Sequence, residues 1–462
     1  MTQTSAIFLF LRYCLEDKVD LSMVVANMDW RQLYSFATKQ TIIGICFDGI
    51  KRLSEEYPEE LKKNPIERDL LMTWMGVSQQ IRRQNMKVNA VAGKLFAMLR
   101  VDGMRCCVLK GQGNALMYPN PYSRTSGDID VWIHACRERI MEYAQKRFEL
   151  GDDIRLQHLE TSSDGVPVEL HFFPCSMNNP IYHARLQKWF RRNADLQCSH
   201  IVRLPDGAGD IAIPTTAFNV IYQLTHLYHH FFDEGIGMRQ IIDYFLVVND
   251  FSKNVFLDTD FSNHPVNFSN HPVPLSKEGS TFSPSPSSSG SGDVTAPSRC
   301  SEPLRSKVGG PSKVSPNCAG WDRRGVSGDI ASDASVSSAF TTDSSASTAL
   351  VVVQRELKYL GLWKFAGAVM YVLHEALGLS EEKMIAPMDE KRGKLLLAEI
   401  LNGGNFGKHF TKYGHFTHQS MGKKYFLKIW RNMHFVRCYP AEALSEPIFR
   451  TWHFFWRMKN KK

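Results

Sequence analysis

Apolar residues recur at helical spacing early in the chain. Leu70, Leu71, Trp74, Met75, Val77 and Ile81 fall three to four apart, which predicts an amphipathic helix and marks residues 1–100 as a helical lead-in. Residues 101–204 alternate differently. Cys106 to Leu109 is a short apolar strand, Gln112 to Met117 a short helix, Asp128 to Ile133 a strand, and Cys136 to Leu150 a helix that stops at Gly151. Arg155 to Glu160 and Val166 to Phe172 read as two strands joined by the turn-rich Thr161-Ser162-Ser163-Asp164-Gly165. This is an α+β pattern around a mixed sheet. After Pro214, Thr215 can cap a helix that carries Phe218, Ile221, Leu224 and Leu227 on one face, so residues 205–250 read as helical. Val352 to Leu377 predicts a further helix ending near Gly378, and Ser380-Glu381-Glu382-Lys383 starts the next.

Between these helical parts, residues 251–349 turn Ser-, Pro- and Gly-rich, a composition that cannot bury enough apolar surface to order itself. Phe261-Ser262-Asn263-His264-Pro265-Val266 recurs as Phe268-Ser269-Asn270-His271-Pro272-Val273, a duplication that an unconstrained insert tolerates. Its eight basic and nine acidic residues nearly cancel, so spacer is the reading. A helical bundle interrupted by a disordered insertion follows for the C-terminal half.

Length and composition add bounds. At 462 residues the chain is too long for one small module, and 43% hydrophobic with 22% charged residues excludes disorder throughout. The nearest approach to a membrane span, Ala6 to Leu11, is broken by Arg12 and far short of roughly 18 residues, so neither anchor nor signal peptide is expected. Ten cysteines without a CxxC pair read as reduced thiols in a cytoplasmic protein. The net charge of +8 concentrates at the C-terminus: residues 408–462 hold twelve Lys and Arg against Glu442 and Glu446. Aromatic residues interleave with those cations, which suits an anionic partner; a basic amphipathic helix face is the alternative.

The chemistry gathers in Leu109-Lys110-Gly111-Gln112-Gly113-Asn114, Arg124 and Gly127-Asp128-Ile129-Asp130-Val131-Trp132. Strand alternation puts Asp128 and Asp130 on one face, with Ile129 and Val131 turned into the core. Paired carboxylates call for a hard cation, and oxygen ligands of this kind suit Mg²⁺. Glu169, a polar position inside the apolar Val168 to Leu170 run, supplies a third acid. The competing structural reading pairs Asp128 with Arg124.

A strand-borne Asp-x-Asp after a glycine loop, with a third carboxylate on a later hairpin strand, resembles the nucleotidyltransferase superfamily with its polymerase-beta-like palm. Leu116-Met117-Tyr118-Pro119 and Gly235-Ile236-Gly237-Met238-Arg239-Gln240-Ile241-Ile242-Asp243 extend the likeness to bacterial proteins described as an uncharacterised nucleotidyltransferase family. The resemblance implies a nucleotidyltransferase-like mixed sheet with flanking helices, and transfer of a nucleoside monophosphate from an NTP donor to an acceptor hydroxyl on a small molecule, glycan intermediate or protein. It also implies that Asp128, Asp130 and Glu169 hold Mg²⁺, while Lys110, Gly111, Gly113 and Arg124 receive phosphate. The loop departs from the superfamily's usual Gly-Ser or Gly-Gly, reading Gly111-Gln112-Gly113. The resemblance sets Arg239 and Asp243 beside the cleft; four apart on a helix, they also suit an intrahelical ion pair. His226 and His230, likewise four apart, could share a cation or simply pack. Two other function classes stay open: a nucleic-acid-directed transferase or binder using residues 408–462, and an inert nucleotide-binding or interaction module.

Overall fold

Local hydrogen bonds start the first helices. The Thr2 hydroxyl accepts from the Ser5 amide, and the Asp29 carboxylate accepts from the Gln32 amide, each satisfying a donor that a helix start leaves open. The computed structural model describes residues 2–15, 18–150, 155–257, 344–410 and 421–460. The spacer assigned to 251–349 lies, except at its two ends, outside the described residues.

The lead-in comprises α1 (Gln3–Cys14), α2 (Ser22–Ala26), α3 (Trp30–Gln40), α4 (Ile43–Glu56), α5 (Pro58–Lys63) and the 34-residue α6 (Arg68–Val101). Trp74 is fully enclosed, and its indole nitrogen donates to the Ile43 carbonyl at 3.0 Å. Leu71 and Met75, grouped with Trp74 by spacing, instead lie 36% and 39% exposed. The buried stripe of α6 runs through Ser78, Asn85, Val88, Asn89, Ala92, Leu95 and Leu99, so three polar residues hold places that an apolar count passes over.

A four-stranded sheet follows, from β1 (Cys106–Leu109), β2 (Ile129–Ile133), β3 (His158–Ser163) and β4 (Val166–His171), in the order β1-β2-β4-β3. β1 and β2 are antiparallel, β2 and β4 parallel, and β3 and β4 an antiparallel hairpin. Side chains alternate across it. Val108, Ile129, Val131, Ile133, Val168 and Leu170 fill one face, where Val91, Leu95 and Leu99 of α6 and Ile140 and Ala144 of α8 (Arg137–Arg147) form a shared apolar core. The opposite face carries Asp130, Trp132, Glu169 and His171. Trp132 stacks on Phe218, and Phe218 on Trp189 at 4.6 Å, fixing this face beneath α9 (Pro180–Ser199) and α10 (Thr216–Asp233). The short α7 (Gly111–Ala115) leaves β1, and a two-stranded ribbon of β5 (Ile201–Arg203) and β6 (Asp210–Ala212) lies inside the stretch read partly as helix.

Beyond the sheet, α11 (Met238–Leu257) runs past residue 251, and α12 (Ser344–Tyr359) begins before residue 349. The helix expected over 352–377 is two, α12 and α13 (Trp363–Leu377). Gly361 stands between them at φ 75, a left-handed conformation that glycine adopts without a Cβ clash. Gly378, at φ 73, caps α13 as expected. Ser380 leads only into a 3₁₀ turn; α14 (Glu390–Gly403) starts from Asp389, whose carboxylate accepts from the Arg392 amide. Thr215 takes the N-cap position of α10, but its hydroxyl bonds the Gln197 side chain rather than the helix. Two helices, α15 (Met421–Met433) and α16 (Pro440–Asn460), complete the described chain. No helix among the described residues is long and apolar enough to cross a membrane.

Candidate active site on the polar face of the sheet

Register brings the acids together. Asp130 of β2 pairs directly with Glu169 of β4, and Asp128 stands just before the β2 strand. Leu109 is opposite Asp130 on the other side, so Lys110, the next residue, reaches the Asp130 carboxylate at 3.0 Å. Lys110 has φ 53 and ψ −129, a backbone region that a side chain rarely enters, and it is held there between β1 and α7. A cavity of about 310 Å³ opens above these groups, lined by Lys110, Gly111, Arg124, Asp128, Asp130 and Glu169.

The acids divide in character. Asp128 touches solvent at the mouth, yet its carboxyl is pushed up to about 6, first by the charge of Asp130 and then by the surrounding protein. Burial pushes Asp130 upward too, but Lys110 and His171 outweigh it and hold that carboxyl well below the usual range. His171 Nε2 lies 2.9 Å from Asp130 Oδ1 and 3.2 Å from Glu169 Oε2. Burial opposes its charge, but those two carboxylates raise the imidazole to about 9. Glu169 is held below its ordinary value: burial raises it, and the hydrogen bond from His171 outweighs that. Two cations thus already compensate three carboxylates, the electrostatic situation in which a hard divalent ion finds its ligands.

The remaining expected residues divide. Arg124, 5% exposed, donates from Nε and Nη2 to both oxygens of Asp243, at 2.8 Å each. The pairing of Arg124 with Asp128 is therefore corrected: its carboxylate is Asp243, which also accepts from the Tyr118 hydroxyl at 2.6 Å. The intrahelical pair of Arg239 with Asp243 does not form either. Arg239 donates to the Thr125 carbonyl at 3.0 Å, leaves its Nε without a hydrogen-bond partner and faces the cavity. Gly113 is not brought to the cavity; a Cβ there would meet Ile213 at 3.0 Å, so close packing on β6's flank sets that position. His226 and His230 both line the cavity, with rings 4.3 Å apart, and Lys110 Nζ stands 3.3 Å from His226 Nε2. Burial and the nearby cations hold both imidazoles in the neutral form, His230 at about 3.

Several site groups escaped the sequence. His158, opposite His171 in the β3–β4 register, lines the cavity with Gln157, Asp233 and Phe406. His171 carried a usable signal, its position two after Glu169 and hence on the same strand face. Asn85 gave none: its amide donates to the Tyr122 and Arg124 carbonyls at 3.0 and 2.7 Å and so fixes the loop that presents Arg124. The C-terminal cations turn partly inward. Lys428 and Arg450 meet Asp233 at 3.1 and 2.8 Å, and the buried Arg431 donates to the Phe231 carbonyl at 2.7 Å.

A mixed sheet that sets Asp-x-Asp beside a third carboxylate, with helices before and after it, defines a nucleotidyltransferase-like protein of α+β class. Residues 26–261 match the family described as uncharacterised nucleotidyltransferase, and the chain belongs to that family. Among solved structures, an antigenic nucleotidyltransferase-like protein from Paracoccidioides brasiliensis is similar at 16% identity and a TM-score of 0.24, over 35% of this chain and 75% of that one. No curated protein matches.

Proposed function

We propose that the protein transfers a nucleoside monophosphate from an NTP to an acceptor hydroxyl. The acceptor oxygen forms a bond to the α-phosphorus, the bond from that phosphorus to the β-bridging oxygen breaks, pyrophosphate leaves, and the hydroxyl proton passes to a base. The observation that carries this reading is the convergence of Asp128, Asp130 and Glu169 on one sheet face at a cavity that also holds Lys110 and the partly unpartnered Arg239. The all-oxygen set of carboxylates fits Mg²⁺, and these three residues would hold it. Bound there, the ion would neutralise the carboxylates and stabilise charge on the attacking and leaving oxygens.

The chain's own groups supply the rest. Lys110 and Arg239 are cations able to meet the triphosphate from two sides of the cavity. Arg124 is committed to Asp243 and acts by holding its loop against α11, with phosphate reached only at the edge of its guanidinium. His226 and His230, held neutral by burial and nearby cations, are weak bases and serve the cavity wall as hydrogen-bonding groups. An adjoining cavity of about 160 Å³, lined by Arg155, His158, His229, Glu446 and Arg450, gives an acceptor a route to the same face.

The test is the position of the transferred label. Incubated with Mg²⁺, a metabolite extract and NTP labelled at either the α- or the γ-phosphate, the protein is expected to place only α-label in a new product. Transfer of γ-label would identify a phosphoryl transferase and overturn the proposal.

A further inference from the structure

Among the described residues, one group of three metal-ligating side chains converges, and it is not the carboxylate set alone: His158, Glu169 and His171 offer atoms that all lie within 4.8 Å of one another. Two of the separations are already short. His158 Nδ1 stands 3.3 Å from Glu169 Oε2, and His171 Nε2 3.2 Å from the same oxygen. Donors bound tetrahedrally at about 2.0–2.1 Å to one ion lie roughly 3.3–3.4 Å apart, so these two separations already match a coordination shell, and the third is within 4.8 Å.

A second observation points to a ligand. His158 is 8% exposed, and neither ring nitrogen makes a hydrogen bond, although it faces the cavity. A buried imidazole left in that state is costly unless something else engages it. The other imidazole is packed against Gln157, whose side-chain amide nitrogen lies 3.4 Å from His171 Nδ1. The β3–β4 register fixes the pair, since His158 and His171 are directly opposite on one face.

We propose that His158, Glu169 and His171 bind a borderline divalent transition-metal ion of the zinc class, with Glu169 shared between this site and the hard-cation set that it forms with Asp128 and Asp130. Once the metal displaces the Nε2 proton that His171 directs at Asp130 and Glu169, two imidazoles and one carboxylate leave an open position toward the cavity, as in sites where a metal activates a bound water or hydroxyl. The binding site stands on its own geometry. Its consequence, activation of the acceptor hydroxyl, rests on the transfer reaction proposed above.

Cobalt(II) tests this, because in a nitrogen- and oxygen-liganded tetrahedral site it absorbs visibly. Full-length protein stripped with chelator and titrated with Co²⁺ is expected to take up one equivalent with such a band, displaced by Zn²⁺. His158→Gln and His171→Gln are each expected to weaken binding on the order of tenfold or more. Asp128→Asn is expected to keep the cobalt band while losing Mg²⁺-dependent nucleotide binding, which separates failure of this site from failure of the donor-site reading. Far-UV circular dichroism and the urea midpoint check that each variant is folded. The proposal is overturned if folded His158→Gln and His171→Gln bind Co²⁺ as wild type does, if the band carries thiolate charge transfer, or if the folded wild type takes up no Co²⁺.

Discussion

Asp128 is the most exposed of the three acids and the one whose charge is least compensated, so it should report the electrostatics of the site directly. Its carboxyl is raised to about 6, against an ordinary value near 4, which means that the cation-free folded state loses stability as pH rises from about 4 through 6 and carries the full penalty above that. Asp128→Asn removes the repulsion with Asp130. The melting temperature of the metal-free variant is therefore expected to exceed that of wild type by a few degrees at pH 7.5, with the gain vanishing toward pH 4; a gain that grows with acid would refute this account. Arg124 and Asp243 make the opposite case, a buried pair in which each partner depends on the other. Arg124→Met should cost about 3–5 kcal/mol in urea unfolding, with part restored when Asp243→Asn is added; a loss below about 1 kcal/mol would mean that the pair behaves like a surface one. Asp128, Asp130 and Glu169 were legible because alternation and chain order exposed them. The Arg124–Asp243 partnership was not, since 119 residues separate the two and only the docking of α11 joins them.

At the level of elements, α6 shows what patterning reads and what it misses. Its helical nature was plain from apolar spacing, whereas its buried face was not, because Asn85 and Asn89 occupy core-side positions, where the Asn85 amide nitrogen donates to the site loop and the Asn89 oxygen accepts from Gln112. Two glycines of this helix give a signed prediction. A Cβ at Gly93 would stand 2.0 Å from the Ala208 carbonyl oxygen, while at Gly76 it would meet nothing within 4 Å. Gly76→Ala should stabilise by about 0.5–1 kcal/mol through helix propensity. Gly93→Ala should destabilise by about 1–3 kcal/mol despite the same propensity, because backbone must shift. Equal effects in urea unfolding would contradict the close approach of α6 to the β5–β6 ribbon. That ribbon, at three residues per strand, was too short to announce itself by alternation. The single helix read over 352–377 failed for a related reason, since its apolar rhythm continues across Gly361 and only the backbone turn reveals the break.

Across the whole molecule, one face of a small mixed sheet is closed by apolar packing and the other is kept polar under α10, α11 and the C-terminal helices. The lead-in contributes through α6, which anchors the sheet's apolar face and the Arg124 loop together. From α15 and α16, Lys428 and Arg450 converge on Asp233 at the cavity wall. The concentration of positive charge there was visible in composition; its partial use inside the fold was not, because composition does not say which way a cation points. We propose that Asp128 and Asp130 make a cation-dependent nucleotide site. Thermal unfolding of wild type and of Asp128→Asn/Asp130→Asn with each NTP, with and without Mg²⁺, tests it most directly, since a ligand that binds only the folded state raises its melting temperature. Wild type is expected to show a rise that requires both NTP and Mg²⁺ and is absent from the double variant; a rise of equal size in the double variant would place the nucleotide elsewhere, and none in wild type with any NTP would contradict the proposal.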